Sequence, residues 1–140
     1  MNKSIVTGAN GFVGSHVCKE LCKEGIKVYA IIKDENENID NIKDLDNIEI
    51  VYCDLNNIST LPDKISDRDI DVFYHFAWIG VSSNLRCDEN IQAQNALWTA
   101  EALRTADKMK CKKFVNAGSI MEKETYLAVC TQESEPGAGY

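Results

Sequence analysis

Hydrophobic residues in this chain come in short β-branched runs that alternate with segments of helical spacing. Lys3 to Thr7 reads as a buried strand. A glycine-containing turn follows, then a helix whose spacing turns Phe12, Val13, Val17 and Leu21 toward a core and whose C-terminal stop is Gly25. Lys27 to Lys33 is a second strand. The polar stretch Asp34 to Asp46, rich in Asn and acids, reads as a loop with at most one turn of helix. Ile48 to Tyr52 and Asp71 to Phe76 are a third and a fourth strand, with a short helix between them. An amphipathic helix from about Glu89 to Lys110 offers Ile91, Ala96, Leu97, Ala100 and Leu103 for burial, and Lys113 to Ala117 closes as a fifth strand.

Strands separated by helices in this way imply right-handed crossovers and an α/β fold, a doubly wound parallel sheet of about five strands covered on both faces. Such sheets bind ligands outside the carboxyl ends of their strands, here near the switch point between the first and fourth. The residues that matter should therefore follow Val6, Ile32, Tyr52, Phe76 and Asn116. No internal repeat or low-complexity tract interrupts the pattern.

Composition narrows the partners. The chain has 140 residues, 44% hydrophobic and 26% charged, as expected of one globular core. A net charge of −7 disfavours a general nucleic-acid or anionic-membrane binder, although a small anion held by backbone amides remains compatible with it. The N-terminus carries no targeting pattern, and the longest charge-free run, Val72 to Leu85, is too short to span a bilayer, so the expected address is the cytosol. The six cysteines form no C-x-x-C pair, and Cys18 and Cys22 read as small buried hydrophobes. Cys18 and Cys22 share a helix face near His16, but no second ligand pair follows, so no metal is expected.

The strongest motif is Thr7 to Gly14, TGANGFVG, between the first strand and the first helix. Gly8 permits the tight turn, Gly11 lets backbone approach a diphosphate, and Gly14 lets the helix pack against its strand. The helix N-terminus then supplies N–H groups and the positive end of its dipole, with Asn10, Phe12 and Val13 beside the bound anion.

The spacing is G-x-x-G-x-x-G. Together with Cys53-Asp54-Leu55, His75-Phe76-Ala77, Asn95 and Phe114 to Ser119 (FVNAGS), in that order, it resembles the NAD-dependent epimerase/dehydratase family, the extended branch of the short-chain dehydrogenases/reductases. The resemblance implies that Asp54, with Leu55, holds the adenine ring; the competing reading is an acid capping a short helix. It implies that Phe76, Ala77 and Trp78 line the cofactor near its ribose and nicotinamide, that Ala117 lies beside it, and that Asn95 helps shape the site, although Asn95 on a solvated helix face is a close rival. His75 reads as an oriented strand-end histidine rather than a base. Ser119 matches the family's active-site Ser or Thr; the alternative is a Ser satisfying backbone at a strand end. The segment after it, Ile120-Met121-Glu122, departs from the family's common pattern and leaves the substrate open.

The dinucleotide is NADP or NAD. The usual acidic position at the end of the second strand is Ile32, and the cation Lys33 follows, which favours the 2′-phosphate of NADP; Asp34 is a competing acid.

The same family uses a Tyr and a Lys four residues later on a helix. The chain has that spacing only at Tyr29 and Lys33. On a strand these side chains lie about 13 Å apart, at about 3.3 Å per residue, against about 6 Å for one helical turn. Pro136-Gly137-Ala138-Gly139-Tyr140 resembles the lead-in to the family's catalytic Tyr, so Tyr140 is that Tyr or a near neighbour. The expectation is thus a cofactor-binding domain over 1–119 and a tail over 120–140, truncated before the later strands and the substrate lobe. The function implied is the cofactor-binding part of an epimerase, dehydratase or reductase that moves hydride at a carbinol of a nucleotide sugar, inactive in isolation; family dimers use helices that include the one carrying the catalytic Tyr, which leaves a homodimer open. The alternatives are a non-catalytic dinucleotide sensor and a remnant that binds nothing.

Overall fold

A computed structural model of the chain describes residues 2–81 and 83–118. The strands β1 (Lys3–Thr7), β2 (Lys27–Ile32), β3 (Ile48–Tyr52), β4 (Val72–His75) and β5 (Lys113–Asn116) form one sheet in the order β3-β2-β1-β4-β5, all neighbours parallel. The chain starts in the middle of the sheet, winds outward through β2 and β3, and returns to lay β4 on the other side of β1. Val6 accordingly sits between Ala30 and Tyr74. The switch point lies between β1 and β4, as the alternation of elements implied.

The helices are α1 (Phe12–Lys23), α2 (Leu61–Lys64), α3 (Ser83–Arg86) and α4 (Glu89–Lys108), with a 3₁₀ segment over Leu55–Thr60. Asp34 to Asp46 is a loop, as its polar composition implied, made of a series of turns and anchored by buried Ile42. Alternation along the strands divides the core into two layers. Ile5, Tyr29, Ile31 and Phe73 face α4 and the 3₁₀ segment, whereas Val6, Val28, Ala30 and Ile32 face α1. At the opposite ends of the strands from the switch-point crevice, Asp71 accepts from Asn2 N–H at 2.5 Å and from Lys112 Nζ at 2.6 Å, tying the starts of β1, β4 and β5 together.

Two helix faces differ from the periodicity. Helix α1 buries Gly14, Ser15, Cys18, Leu21 and Cys22, while Phe12 is 83% and Val13 53% exposed. A Cβ on Gly14 would overlap the Gly8 carbonyl, so the closest approach of α1 to the sheet is at that glycine and sets the helix rotation. In α4 the buried residues are Asn95, Ala102, Thr105 and Ala106, and Leu97 (64%) and Leu103 (50%) are exposed. Asn95 bonds the backbone of Ile79, and Thr105 Oγ1 donates to Glu101 O at 2.8 Å, so polar groups satisfied locally face inward with small alanines. Close approach and polar anchoring outweigh the hydrophobic count on both helices.

Cys18 and Cys22 lie on the buried face of α1, where burial, and secondarily Cys22, pushes the Cys18 thiol up to about 12. His16 is exposed, and its Nδ1–H donates to Phe12 O at 2.7 Å. No helix among the described residues is long and apolar enough to cross a membrane.

Two glycines separate steric from conformational cost. Gly25 has φ +72° with open space around it, so Gly25→Ala should cost about 1 kcal/mol, the left-handed penalty alone. Gly14→Ala must lift α1 from the loop and should cost about 3 kcal/mol in urea unfolding. Equal losses would show that the contact at Gly14 does not hold the helix.

Candidate functional site

The crevice at the switch point is built by two loops pressed together. Gly8 follows β1 at φ +63°, and a Cβ there would lie 2.8 Å from Ala77 N and 2.9 Å from Ala77 Cα. Only glycine gives both this backbone conformation and this approach. The chain then turns, with Gly11 N–H donating to Gly8 O at 3.0 Å, and enters α1 with Gly11 as N-cap. The first helical bond is Ser15 N–H to Gly11 O at 2.9 Å, so the N–H groups of Phe12, Val13 and Gly14 have no acceptor within the helix. No side chain caps this end and no acid lies in the first turn. The result is a bare, positively polarised helix terminus at the mouth of the crevice. Asn10 points away from it: Nδ2 donates to Asn38 O at 3.2 Å and its own carbonyl accepts from Asn41 Nδ2 at 2.9 Å, stitching the glycine turn to the loop after β2.

One hydroxyl holds the two loops in register. Thr7 Oγ1 accepts from Phe76 N–H and Ala77 N–H, each at 3.2 Å, and lies 2.9 Å from His75 Nδ1. Both lone pairs of the oxygen are thereby used, so its proton goes to His75, and Nδ1 must be the unprotonated nitrogen. His75 is therefore neutral with its proton on Nε2, which is buried without a partner among the described residues. Burial brings its pKa down from 6.5 to about 4. A general base would need to be reachable, and this ring is only 2% exposed.

Two cavities open on either side of Ala77 and Trp78. The first, about 270 Å³, brings together Gly8, Lys33, Asp54, Leu55, Ala77 and Trp78. Its remaining walls include Thr7, which opens the glycine motif, and Asn56, Ile79 and Trp98, which no spacing in the sequence singles out. Asp54 has φ −67° and ψ 148° and caps the 3₁₀ segment, its Oδ1 accepting from Asn56 N–H at 2.8 Å. The capping role and the position in the cavity coexist, because one carboxylate oxygen suffices for the cap. Lys33 lies just past the end of β2 in the wall of this cavity. Asp34 instead turns back on its own loop, Oδ1 accepting from Asn36 N–H at 2.9 Å. Tyr29, the other half of the Y-x-x-x-K spacing, donates its hydroxyl proton to Asp67 at 2.5 Å, well away from Lys33.

The second cavity, about 450 Å³, is lined by His75, Phe76, Trp78, Asn116 and Ala117, with Arg86 adding a guanidinium. Asn95 is in neither lining. It is 1% exposed, and its amide clasps Ile79, Oδ1 accepting from the N–H at 3.0 Å and Nδ2 donating to the carbonyl at 2.7 Å, which shapes the loop between the cavities. Gly11, Phe12, Val13 and Gly14 form the helix terminus rather than a cavity wall. Ser119, Tyr140 and the tail lie outside the described residues.

The state of His75 predicts an acid sensitivity. The unfolded imidazole takes a proton near pH 6.5 and the folded one only near 4, so between those values the unfolded state binds more protons and stability falls with pH. The wild type should lose up to about 3 kcal/mol more than His75→Gln as pH drops from 6.5 to 4, read as the difference in urea midpoints. Parallel losses would contradict a buried neutral histidine.

Comparison with known proteins agrees with this geometry. Residues 4–137 match the NAD dependent epimerase/dehydratase family. The chain is similar to a UDP-glucose 4-epimerase of Cyamopsis tetragonoloba, 30% identical over 82% of this chain and 35% of the relative. It is also similar to the CDP-abequose synthase of Salmonella typhimurium, 32% identical over 87% of this chain and 40% of that protein. The chain thus spans little more than a third of the length of these curated relatives. Among solved structures it resembles the epimerase Mth375 of Methanothermobacter thermautotrophicus, with a TM-score of 0.72 and 26% identity over 86% of this chain and 36% of that one. A parallel sheet in the order β3-β2-β1-β4-β5, a glycine turn capping α1 at its switch point, and a match over residues 4–137 lead to one assignment: the chain belongs to the NAD-dependent epimerase/dehydratase family.

Proposed function

We propose that this chain is the cofactor-binding part of an NAD(P)-dependent epimerase, dehydratase or reductase acting on a nucleotide sugar. The observation that carries the reading is the uncapped N-terminus of α1 set beside the cavity that holds Asp54 and Lys33. The amides of Phe12, Val13 and Gly14 hold the diphosphate, Asp54 and Leu55 take the adenine end, and Phe76, Ala77, Trp78 and Ala117 border the nicotinamide end in the second cavity. The bound dinucleotide supplies reversible hydride acceptance. Ser119 hydrogen-bonds the sugar oxygen and orients it. The relatives' names support the nucleotide-sugar class, one being a UDP-glucose 4-epimerase and another a CDP-abequose synthase.

Lys33 favours NADP. It stands in the cavity wall, whereas the nearby acid Asp34 spends a carboxylate oxygen on Asn36. NADPH should bind about tenfold tighter than NADH at low salt, and Lys33→Ala should remove the difference. Equal or tighter binding of NADH in a fluorescence titration would reverse the assignment.

A second reading is a dinucleotide-binding module without catalysis, in which the Tyr29 and Lys33 pair moves no proton to a substrate: Tyr29, on β2, gives its hydroxyl proton to Asp67. Both readings predict that this chain binds cofactor without turning over a nucleotide sugar. Measurable turnover by the sequence-verified chain would contradict both.

A further inference from the structure

The first cavity has an aromatic wall that the family motifs do not supply. Trp98, on α4, reaches the 3₁₀ segment, and its Nε1–H donates to Asn56 Oδ1 at 3.1 Å. An indole nitrogen can only donate, so the Asn56 atom facing it is the carbonyl oxygen and the NH₂ group is turned elsewhere, with neither proton given to an acceptor among the described residues. Asn56 is held from its other side as well, its backbone N–H donating to Asp54 Oδ1 at 2.8 Å. Asp54, Asn56 and Trp98 all line the cavity. The three therefore act as one unit. It offers a carboxylate oxygen, Oδ2, with no donor among the described residues, an amide donor two residues away, and an indole whose one polar atom is already satisfied.

We propose that Trp98, fixed by Asn56, is the aromatic wall on which the purine of the dinucleotide packs, and that the Asn56 NH₂ donates to a ring nitrogen while Asp54 Oδ2 accepts from the 6-amino group. Trp98 and Asn56 are then affinity- and specificity-determining residues for the base. An acceptor beside a donor matches the amino-and-ring-nitrogen edge of adenine. A 6-oxo purine replaces the amino donor by an acceptor and sets it against the carboxylate. The satisfied indole N–H means that the ring contributes apolar and π surface alone, which is what base packing uses. The proposal rests on the dinucleotide reading above.

The test titrates the full chain with ADP, inosine 5′-diphosphate and inorganic pyrophosphate by calorimetry. Trp98→Leu should weaken ADP about tenfold and leave pyrophosphate, which reaches only the α1 terminus, unchanged. Trp98→Phe, which keeps a ring and loses the N–H, should fall between, and Asn56→Ala should narrow the preference for ADP over the inosine nucleotide. In a Trp78→Phe background, where Trp98 is the one remaining tryptophan, ADP should quench the fluorescence. ADP binding equally well to wild type, Trp98→Leu and Trp98→Phe, with no quenching, would overturn the clamp while leaving the dinucleotide reading intact. A wild-type chain that binds neither ADP nor NAD(P)H would overturn both.

Discussion

The hydroxyl of Thr7 is the point on which the site depends. It lies where the first strand ends and the fourth loop begins, and its two lone pairs and one proton are all assigned: Phe76 N–H, Ala77 N–H and His75 Nδ1. Saturation of a single buried oxygen fixes three things together. It sets the separation of the two loops, it sets the tautomer of His75, and it brings Ala77 so close to Gly8 that no side chain fits between them. Each buried polar group here is worth more paired than its modest net bond energy suggests, because losing one partner leaves the others desolvated and unpaired. The crevice is thus rigid before any ligand arrives, which lowers the ordering cost of binding.

From that clasp the rest follows outward. Gly8 turns the chain, Gly11 opens α1 without a side-chain cap, and Gly14 seats the helix on the Gly8 carbonyl. On the far side Asn95 clasps Ile79 through both its amide oxygen and its NH₂ group, so the segment between the two cavities is held by a helix residue that itself lines neither. An acidic protein can in this way present a positive locus to a phosphate, because the positive end is made of backbone dipoles and not of lysines. Among the described residues, Lys33 adds the one formal cation placed in the wall of the first cavity.

Much of this was legible in the residues, for physical reasons. Strand positions and the β1–β4 switch follow from alternating β-branched runs and helical segments, since only a few topologies bury such a pattern. The glycine turn is legible because its spacing answers to backbone geometry. What periodicity misread were helix rotations. Leu97, Leu103, Phe12 and Val13 carry the apolar signal yet lie outward, because Gly14 and Asn95 set the rotation through close contact and hydrogen bonds that a hydrophobicity count does not weigh. Trp98, Asn56 and Arg86 were invisible for another reason: they reach the cavities from elements far apart in sequence, with no fixed spacing between them. Asp54 shows the two levels meeting, since the cap uses one carboxylate oxygen, Oδ1, in a residue that also lines the first cavity.

The central claim is that the N-terminus of α1 and the Asp54 turn bind the two ends of one ligand half. Backbone amide chemical shifts recorded while NADPH is added to the full chain test it most directly. The account predicts the largest changes at Gly11 to Gly14 and at Asp54 to Asn56, saturating together. Changes confined to the opposite ends of the strands around Asp67 and Asp71, or none at saturating nucleotide, would contradict it.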